Sequence, residues 1–442
     1  MVCAVVLLLM VADAWLGLGR AARGLGFEFP AVVRLTKGRT GTIQLVVRNE
    51  VPGAPSRLLR LGLDLPAAVT TPDEELALRL QAGVERTLLP WACLAVRRGR
   101  FACERVYFLE RSPLGLWAVR RSADAGPAGC ELRVYPDLRA ERRQAAAVFL
   151  NRHGLGTHAQ RRVGRGREFE KLRDYVVGDS IEDISWKATA RRRRPVSKVF
   201  QVERTQEVYV IIDGSRLSAR PVATLAGETP PADRSTLDQP AASPAAGLLV
   251  PTVLERYVSA ALMLGVAAER QGDLFGLATF ADQVRHFLRA RNGAAHFNAC
   301  REAIYALEPS TVSPDFEELG AFLRLRLRRR ALLVILTSLD DPALAESFTR
   351  AVEPLSRQHL VLVNTLRPEG ATPLFADADA GAGVRTTGDV YRRLGGHLQW
   401  QRLRESGNRL RQLNVRFTLL DPARMTEQLV TQYVAVKQRQ LL

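Results

Sequence analysis

Val208-Tyr209-Val210-Ile211-Ile212-Asp213-Gly214-Ser215-Arg216-Leu217-Ser218 is the stretch on which the fold turns. Its five leading residues suit a strand covered on both faces, and the change to a carboxylate, a glycine and hydroxyls marks the strand's end. Similar runs recur at Leu274–Phe280, Leu332–Leu336, Leu360–Leu366 and Val415–Leu420. Helical periodicity separates them, at Leu254–Glu269, Phe297–Leu307, Phe316–Leu327, Ala343–Leu355 and Tyr391–Leu413. Asp421-Pro422 reads as an N-cap and first-turn pair that opens a last helix. Strands alternating with helices of this length predict a doubly wound α/β domain over residues 205–442. Val284–Leu288 fits a short edge strand, which brings the mostly parallel sheet to six strands.

Open α/β sheets bind ligands beyond the carboxyl ends of their strands, so the loop from Asp213 to Ser218 is the first candidate site. The plainer reading of Asp213 is a strand-end carboxylate that caps nearby backbone amides. Enzyme chemistry is not expected. Ser215 does not sit in a G-x-S-x-G turn, and no Gly-rich phosphate loop or dinucleotide fingerprint follows any strand. Two stretches poor in aromatics, at 219–251 and 367–389, read as insertions on the surface of this domain.

Working toward the N-terminus, residues 139–204 form a connector that is neither low-complexity nor cleanly periodic. Gly164, Gly166 and Gly178 interrupt it, and Pro195 argues against a helix through Arg191–Arg194, so it reads as an extended strap. Tyr175 and Trp186 stand among Glu168, Arg173, Asp179, Asp183, Lys187 and Arg191. Aromatics among alternating charges suit charge-assisted hydrogen bonding, which makes these eight the candidate partner-binding residues. Nucleic-acid binding is not expected, since the arginine run lies in no recognisable DNA- or RNA-binding module.

Residues 27–138 carry short runs rich in β-branched and aromatic residues, such as Thr42–Val47, Leu58–Leu63 and Val106–Leu109, parted by turn signals. They predict an N-terminal β-sandwich. Arg97, Arg98 and Arg100 read as solvated strand ends and Ser112–Trp117 as a packed turn, a basic and partly aromatic surface being the alternative.

Met1–Leu18 is apolar apart from Asp13 and is followed by Arg20 and Arg23. A transmembrane helix is expected over residues 1–19, with the domains facing the cytoplasm from the cell inner membrane. The run is at the short end of the ~17–25 residues that span a bilayer, and no basic stretch precedes it. A start site assigned too far downstream, removing an upstream helix, is one explanation. A buried or signal-type segment is the other, because Asp13 is costly in lipid.

The net charge of +17 suits an anionic surface, whether lipid, nucleic acid or an acidic protein face. The five cysteines show no CxxC pair or metal spacing, and they suit a reducing compartment.

In the connector, G-x-G-x-E-F at Gly164–Phe169, L-R-D-Y-V-V-G-D at Leu172–Asp179 and I-S-W-K-A-T-A-R at Ile184–Arg191 resemble the signature of the bacterial family known as domain of unknown function 58. The resemblance extends back to Arg97-Arg98-Gly99-Arg100-Phe101 and Pro113-Leu114-Gly115-Leu116, and forward to the C-terminus. It implies a membrane-anchored chain with a β-sandwich, this strap and a von Willebrand A-like domain, often encoded beside a MoxR-type AAA+ ATPase.

A von Willebrand A-like domain carries D-x-S-x-S in its first loop, and this motif helps to hold Mg²⁺. Asp213 and Ser215 match, whereas Leu217 replaces the second hydroxyl. The later threonine falls on Thr311 and the later aspartate on Ser338, with Asp340 and Asp341 nearby. A degenerate, metal-free site is therefore expected. The resulting reading is a membrane-tethered adaptor that docks a MoxR-type AAA+ ATPase. The alternatives are a Mg²⁺-dependent protein-binding module and an electrostatic binder of nucleic acid or lipid.

Overall fold

A computed structural model of the chain describes residues 2–21, 24–49, 56–112, 114–124, 129–139, 141–143, 163–176, 184–201, 206–222, 251–374 and 386–439. The chain forms two compact units, one from residues 1–138, 220–259 and 301–309, the other from 139–219, 260–300 and 310–442.

The first unit opens with helix α1 (Val2–Ala21). There follow β1 (Leu25–Glu28), β2 (Val32–Thr36), β3 (Thr40–Asn49), β4 (Arg57–Leu63), β5 (Val69–Thr70), β6 (Leu76–Leu80), β7 (Arg86–Ala95), β8 (Gly99–Cys103), β9 (Arg105–Arg111), β10 (Ala118–Asp124) and β11 (Cys130–Tyr135). The N-terminal region is thus β-rich, and its strands form three sheets ordered β1-β3-β7-β5, β10-β9-β4-β6 and β2-β11-β8. Side chains alternate across each pleat, so Ile43, Leu45 and Val47 of β3 turn inward. They join Leu59 and Leu61 of β4 and Trp91 of β7 in one core. Within it Arg57 donates from Nε and Nη2 to the two Glu110 oxygens, each at 2.8 Å, a buried bidentate pair between β4 and β9.

The transmembrane expectation for residues 1–19 is corrected here. The stretch is helical, but among the described residues no helix is long and apolar enough to cross a membrane. Asp13 breaks the apolar run, and protein donors hold it. Its Oδ2 accepts from the Ser112 hydroxyl at 2.5 Å and its Oδ1 from Leu114 N–H at 2.9 Å. Trp117 Nε1 donates to the Met10 carbonyl at 3.0 Å, so α1 is fastened to the turn between β9 and β10.

In the second unit, β12 (Val163–Asp174) pairs antiparallel with β13 (Val196–Gln201), with the short helix α2 (Trp186–Arg192) between them. The extended strap is therefore a hairpin with a helical connection. The helix enters the arginine run that Pro195 was expected to keep extended. Proline restricts chiefly the residue before it, and the helix has already ended at Arg193, whose φ of 55° is left-handed.

The rest of this unit is α/β. β14 (Glu207–Asp213), β15 (Leu274–Phe280), β16 (Val284–Arg291), β17 (Leu332–Leu336), β18 (Leu360–Leu366) and β19 (Arg416–Leu420) form one mixed sheet in the order β16-β15-β14-β17-β18-β19. Neighbours are parallel except β16, which runs antiparallel to β15 at the edge. The helices of the chain's C-terminal half are α3 (Val253–Arg270), α4 (Ala294–Ile304), α5 (Phe316–Arg326), α6 (Pro342–Ser356), α7 (Thr387–Gln412) and α8 (Met425–Gln438). Ile211, Ile335 and Val363 share one core with Phe316 and Leu323 of α5 and Phe348 and Val352 of α6.

Helix starts follow local chemistry. Asp315 accepts from Glu317 and Glu318 N–H to open α5, and Asp341 with Pro342 opens α6. The same pairing fails at α8. Asp421 instead accepts from Ala423 N–H in a turn, and the helix starts at Met425. Gly396 of α7 lies so close to the Gly370 carbonyl that a Cβ there would stand 1.9 Å from its oxygen. The buried Asp273 carboxylate accepts from the Tyr433 hydroxyl and, at 2.9 Å, from Lys437 Nζ, which holds α8 beside the start of β15. Most of the two expected insertions, 223–250 and 375–385, lies outside the described residues.

Candidate functional site

β14 neighbours β15 on one side and β17 on the other, so the strand order reverses at β14, the place where open α/β sheets take ligands at the carboxyl ends of their strands. Asp213 is the last residue of β14, and Thr337 directly follows β17. Both are fully buried. Asp213 Oδ1 accepts from Ser215 N–H at 2.8 Å, and Oδ2 accepts from the Thr337 hydroxyl at 2.6 Å. The buried Ser215 hydroxyl oxygen accepts from Leu217 N–H at 3.4 Å, and the Ser218 hydroxyl donates to the Ser215 carbonyl at 2.8 Å. These bonds wind Arg216–Ala219 into a single 3-10 turn.

A second loop braces the first. Ser310 donates to the Gly214 carbonyl from its N–H at 2.8 Å and its hydroxyl at 3.0 Å. Arg216 N–H donates to the Val312 carbonyl, and Arg216 Nε donates to the Ser313 hydroxyl. Thr365 bonds the Thr337 carbonyl from the far side. The carboxyl end of β14 is thus a buried carboxylate surrounded by hydroxyls and amides, with the exposed Arg216 beside it.

Asp213 and Ser215 meet through the Ser215 amide, while the Ser215 hydroxyl oxygen turns to Leu217 N–H. Ser310, one residue before the expected Thr311, braces the loop. Ser338 is buried beside Thr337, and Asp341 is spent on capping α6. Among the described residues no group of three or more His, Cys, Asp or Glu side chains is placed to hold a metal ion. Thr337 carries no local signal of its own: the motif places its aspartate one position later, at Ser338, and a threonine at a strand end is ordinary.

The strap candidates divide. Trp186, Lys187 and Arg191 are exposed on α2, and Tyr175 is half-buried just after β12. Glu168 and Arg173 belong to β12, while Asp179 and Asp183 lie outside the described residues. Arg194 pairs with Asp174 at 3.0 Å, and the Thr189 hydroxyl accepts from Val196 N–H, which ties α2 to the hairpin.

The first unit has its own polar clasp. Arg98 is buried and donates to the Tyr305 carbonyl at 3.0 Å and the Ile304 carbonyl at 3.4 Å, capping the end of α4. Burial pulls the Arg98 guanidinium below its ordinary range, against the charges of Glu255 and Glu308. Arg97 pairs with Glu308 and Arg100 with Glu131. Arg98 is thus buried against backbone acceptors, whereas Arg97 and Arg100 keep solvated side chains, 42% and 68% exposed, beside their acidic partners.

A family model described as "Protein of unknown function DUF58" matches residues 171–220 and 243–372, which bears out the resemblance drawn from the connector. The match passes over 221–242, within the first stretch read as an insertion. No curated protein matches the chain. Among solved structures, the conserved hypothetical protein BatB from Bacteroides thetaiotaomicron is similar at 11% identity, over 53% of this chain and 99% of that one, with a TM-score of 0.30. An aerotolerance-related membrane protein from Bacteroides fragilis is similar at 14% identity, over 52% and 98%, with a TM-score of 0.28. The proximal thread matrix protein 1 of the mussel byssus is similar at 11% identity, over 51% and 45%, with a TM-score of 0.26.

Proposed function

We propose that this chain is a non-enzymatic adaptor that docks a protein partner at the carboxyl end of its six-stranded sheet, without a metal ion. The observation that carries this reading is the hydrogen bonding of Asp213. Each carboxylate oxygen accepts from a buried protein donor, and the Ser215 oxygen accepts from Leu217 N–H. Mg²⁺ demands a near-ideal octahedron of oxygens at about 2.0–2.1 Å, and a lone carboxylate already spent on an amide and a hydroxyl does not fit it.

The strand order and the Asp213-Gly214-Ser215 turn support a von Willebrand A-like reading of the α/β unit. The family resemblance supports a MoxR-type AAA+ ATPase as the partner. Exposed Val5, Leu7, Leu8, Val11 and Trp15 of α1 support association with a membrane, and Arg20 and Arg23 support the cytoplasmic face of the inner membrane.

The test is binding of the full chain, purified in detergent, to the MoxR-type ATPase of its host, titrated with excess Mg²⁺ and with EDTA. Equal affinity in both, weakened by Arg216→Glu in the exposed part of the loop after β14, is the expected result. Affinity that appears only with Mg²⁺ moves the reading to the metal-dependent module, and no binding in either condition removes the ATPase.

A further inference from the structure

The turn from Ser112 to Trp117, between β9 and β10, is closed on itself. Ser112 N–H donates to the Trp117 carbonyl and Gly115 N–H to the Ser112 carbonyl, both at 2.9 Å, and Trp117 N–H donates to the Ser112 hydroxyl oxygen at 3.0 Å. Gly115 supplies the left-handed residue, with a φ of 76°. These backbone groups are satisfied inside the turn, whereas its large side chains are apolar and open. Leu114, Leu116 and Trp117 are 63%, 53% and 44% exposed. The turn is thus closed without being packed over. It stands against α1, where Asp13 accepts from Ser112 and Leu114 and the Trp117 indole donates to the Met10 carbonyl.

α1 identifies the medium that covers the turn. Every residue from Val5 to Val11 is exposed, between 38% and 70%, over nearly two helical turns and therefore around the whole circumference. Residues 2–12 carry no charge. A protein groove or a second copy takes one stripe of a helix, whereas a helix apolar all round calls for an apolar medium on every side. The first charge is Asp13, so that medium ends at the level of Met10 and Asp13, which is the level of the turn.

We infer, resting on the membrane reading of α1, that Ser112–Trp117 is a second membrane-contacting element, seated in the headgroup layer of a phospholipid bilayer beside the helix. Leu114, Leu116 and Trp117 are its lipid-facing side chains. Tryptophan concentrates in this layer because it joins an apolar body to a polar edge, and here the indole N–H is already bonded within the chain. A backbone bonded to itself suits a layer poor in water. Arg111, directly before the turn, is exposed and brings a positive charge to the phosphates.

The test uses the full chain, transferred from detergent to vesicles of phosphatidylethanolamine and phosphatidylglycerol, with and without lipid brominated near the carbonyl end of its acyl chains. Flotation with the vesicles reads α1, and quenching of tryptophan fluorescence in the vesicle-bound chain reads the turn. In a Trp15→Phe background, brominated lipid is expected to quench a component that disappears when Trp117→Phe is added. Leu114→Ser with Leu116→Ser should weaken vesicle partitioning about tenfold at an unchanged urea midpoint. The quenching is read with both leucines in place, so it stands even where the serine pair does not fold. A chain that floats with quenching unchanged by Trp117→Phe overturns the contact and leaves the membrane reading of α1 standing. A chain that does not float removes that reading and the contact with it. Self-association in sedimentation that shields Trp117 from the brominated lipid gives the turn to a second copy and also overturns the proposal.

Discussion

The Thr337 hydroxyl donates to Asp213 Oδ2 at 2.6 Å, a buried bond that joins the carboxyl ends of the parallel neighbours β17 and β14. Thr337→Val keeps the side-chain shape and withdraws this donor from a buried carboxylate. The expected cost is about 1–3 kcal/mol, read as a lower urea midpoint at unchanged slope. Thr337→Ser should retain most of the stability. A valine variant with the wild-type midpoint would mean that the bond contributes nothing.

Arg57 and Glu110 make a buried bidentate pair between β4 and β9. Glu110→Ala leaves a guanidinium buried without its counter-ion and should destabilise the chain by about 3–5 kcal/mol. Replacing both partners, as Arg57→Met with Glu110→Leu, should recover most of that loss. Chemical denaturation of the two variants beside wild type decides it. A single variant no worse than the double would refute the argument.

His359 is buried, and among the described residues neither ring nitrogen has a hydrogen-bond partner. Burial alone holds its pKa below the ordinary value. The folded chain thus binds this proton more weakly than the unfolded chain, whose histidine titrates near ~6.5. The stabilising contribution is present above that pH and is lost as pH falls through the folded pKa. The unfolding temperature should drop on moving from neutral toward mildly acid buffer, and His359→Leu should flatten that drop. An unchanged pH profile in the variant would count against the assignment.

Burial pushes the thiols up, Cys103 and Cys300 to about 12 and Cys130 to about 11, and Cys93 also rises. Cys3 is exposed. A thiol-exchange reagent at mildly alkaline pH should therefore modify Cys3 quickly and the other four only after denaturant is added. Rapid loss of more than one thiol in native buffer would contradict this.

The α/β unit was legible because its information is local. Continuous apolar runs place β15, β17 and β18 to the residue, since a strand covered on both faces needs no alternation and ends where polarity returns. The N-terminal strands were legible as strands but not as three sheets, because pairing joins segments far apart in the chain. Asp421-Pro422 shows the limit of local signals, since a capping pair is equally at home in a turn. α1 shows another: composition reads as a membrane span, whereas Asp13 is held by Ser112, 99 residues away.

By itself the sequence determined the alternation of strands and helices, the candidate loop with Asp213 and Ser215, and the departures at Leu217 and Ser338. These depend on residue type and on spacing within a few turns of chain. Only the tertiary structure decided what Asp213 meets. Its partner Thr337 is 124 residues away, and they touch because β14 and β17 are parallel neighbours. Strand order comes from the burial of whole faces against helices, a property of the assembled sheet that no short window of sequence contains.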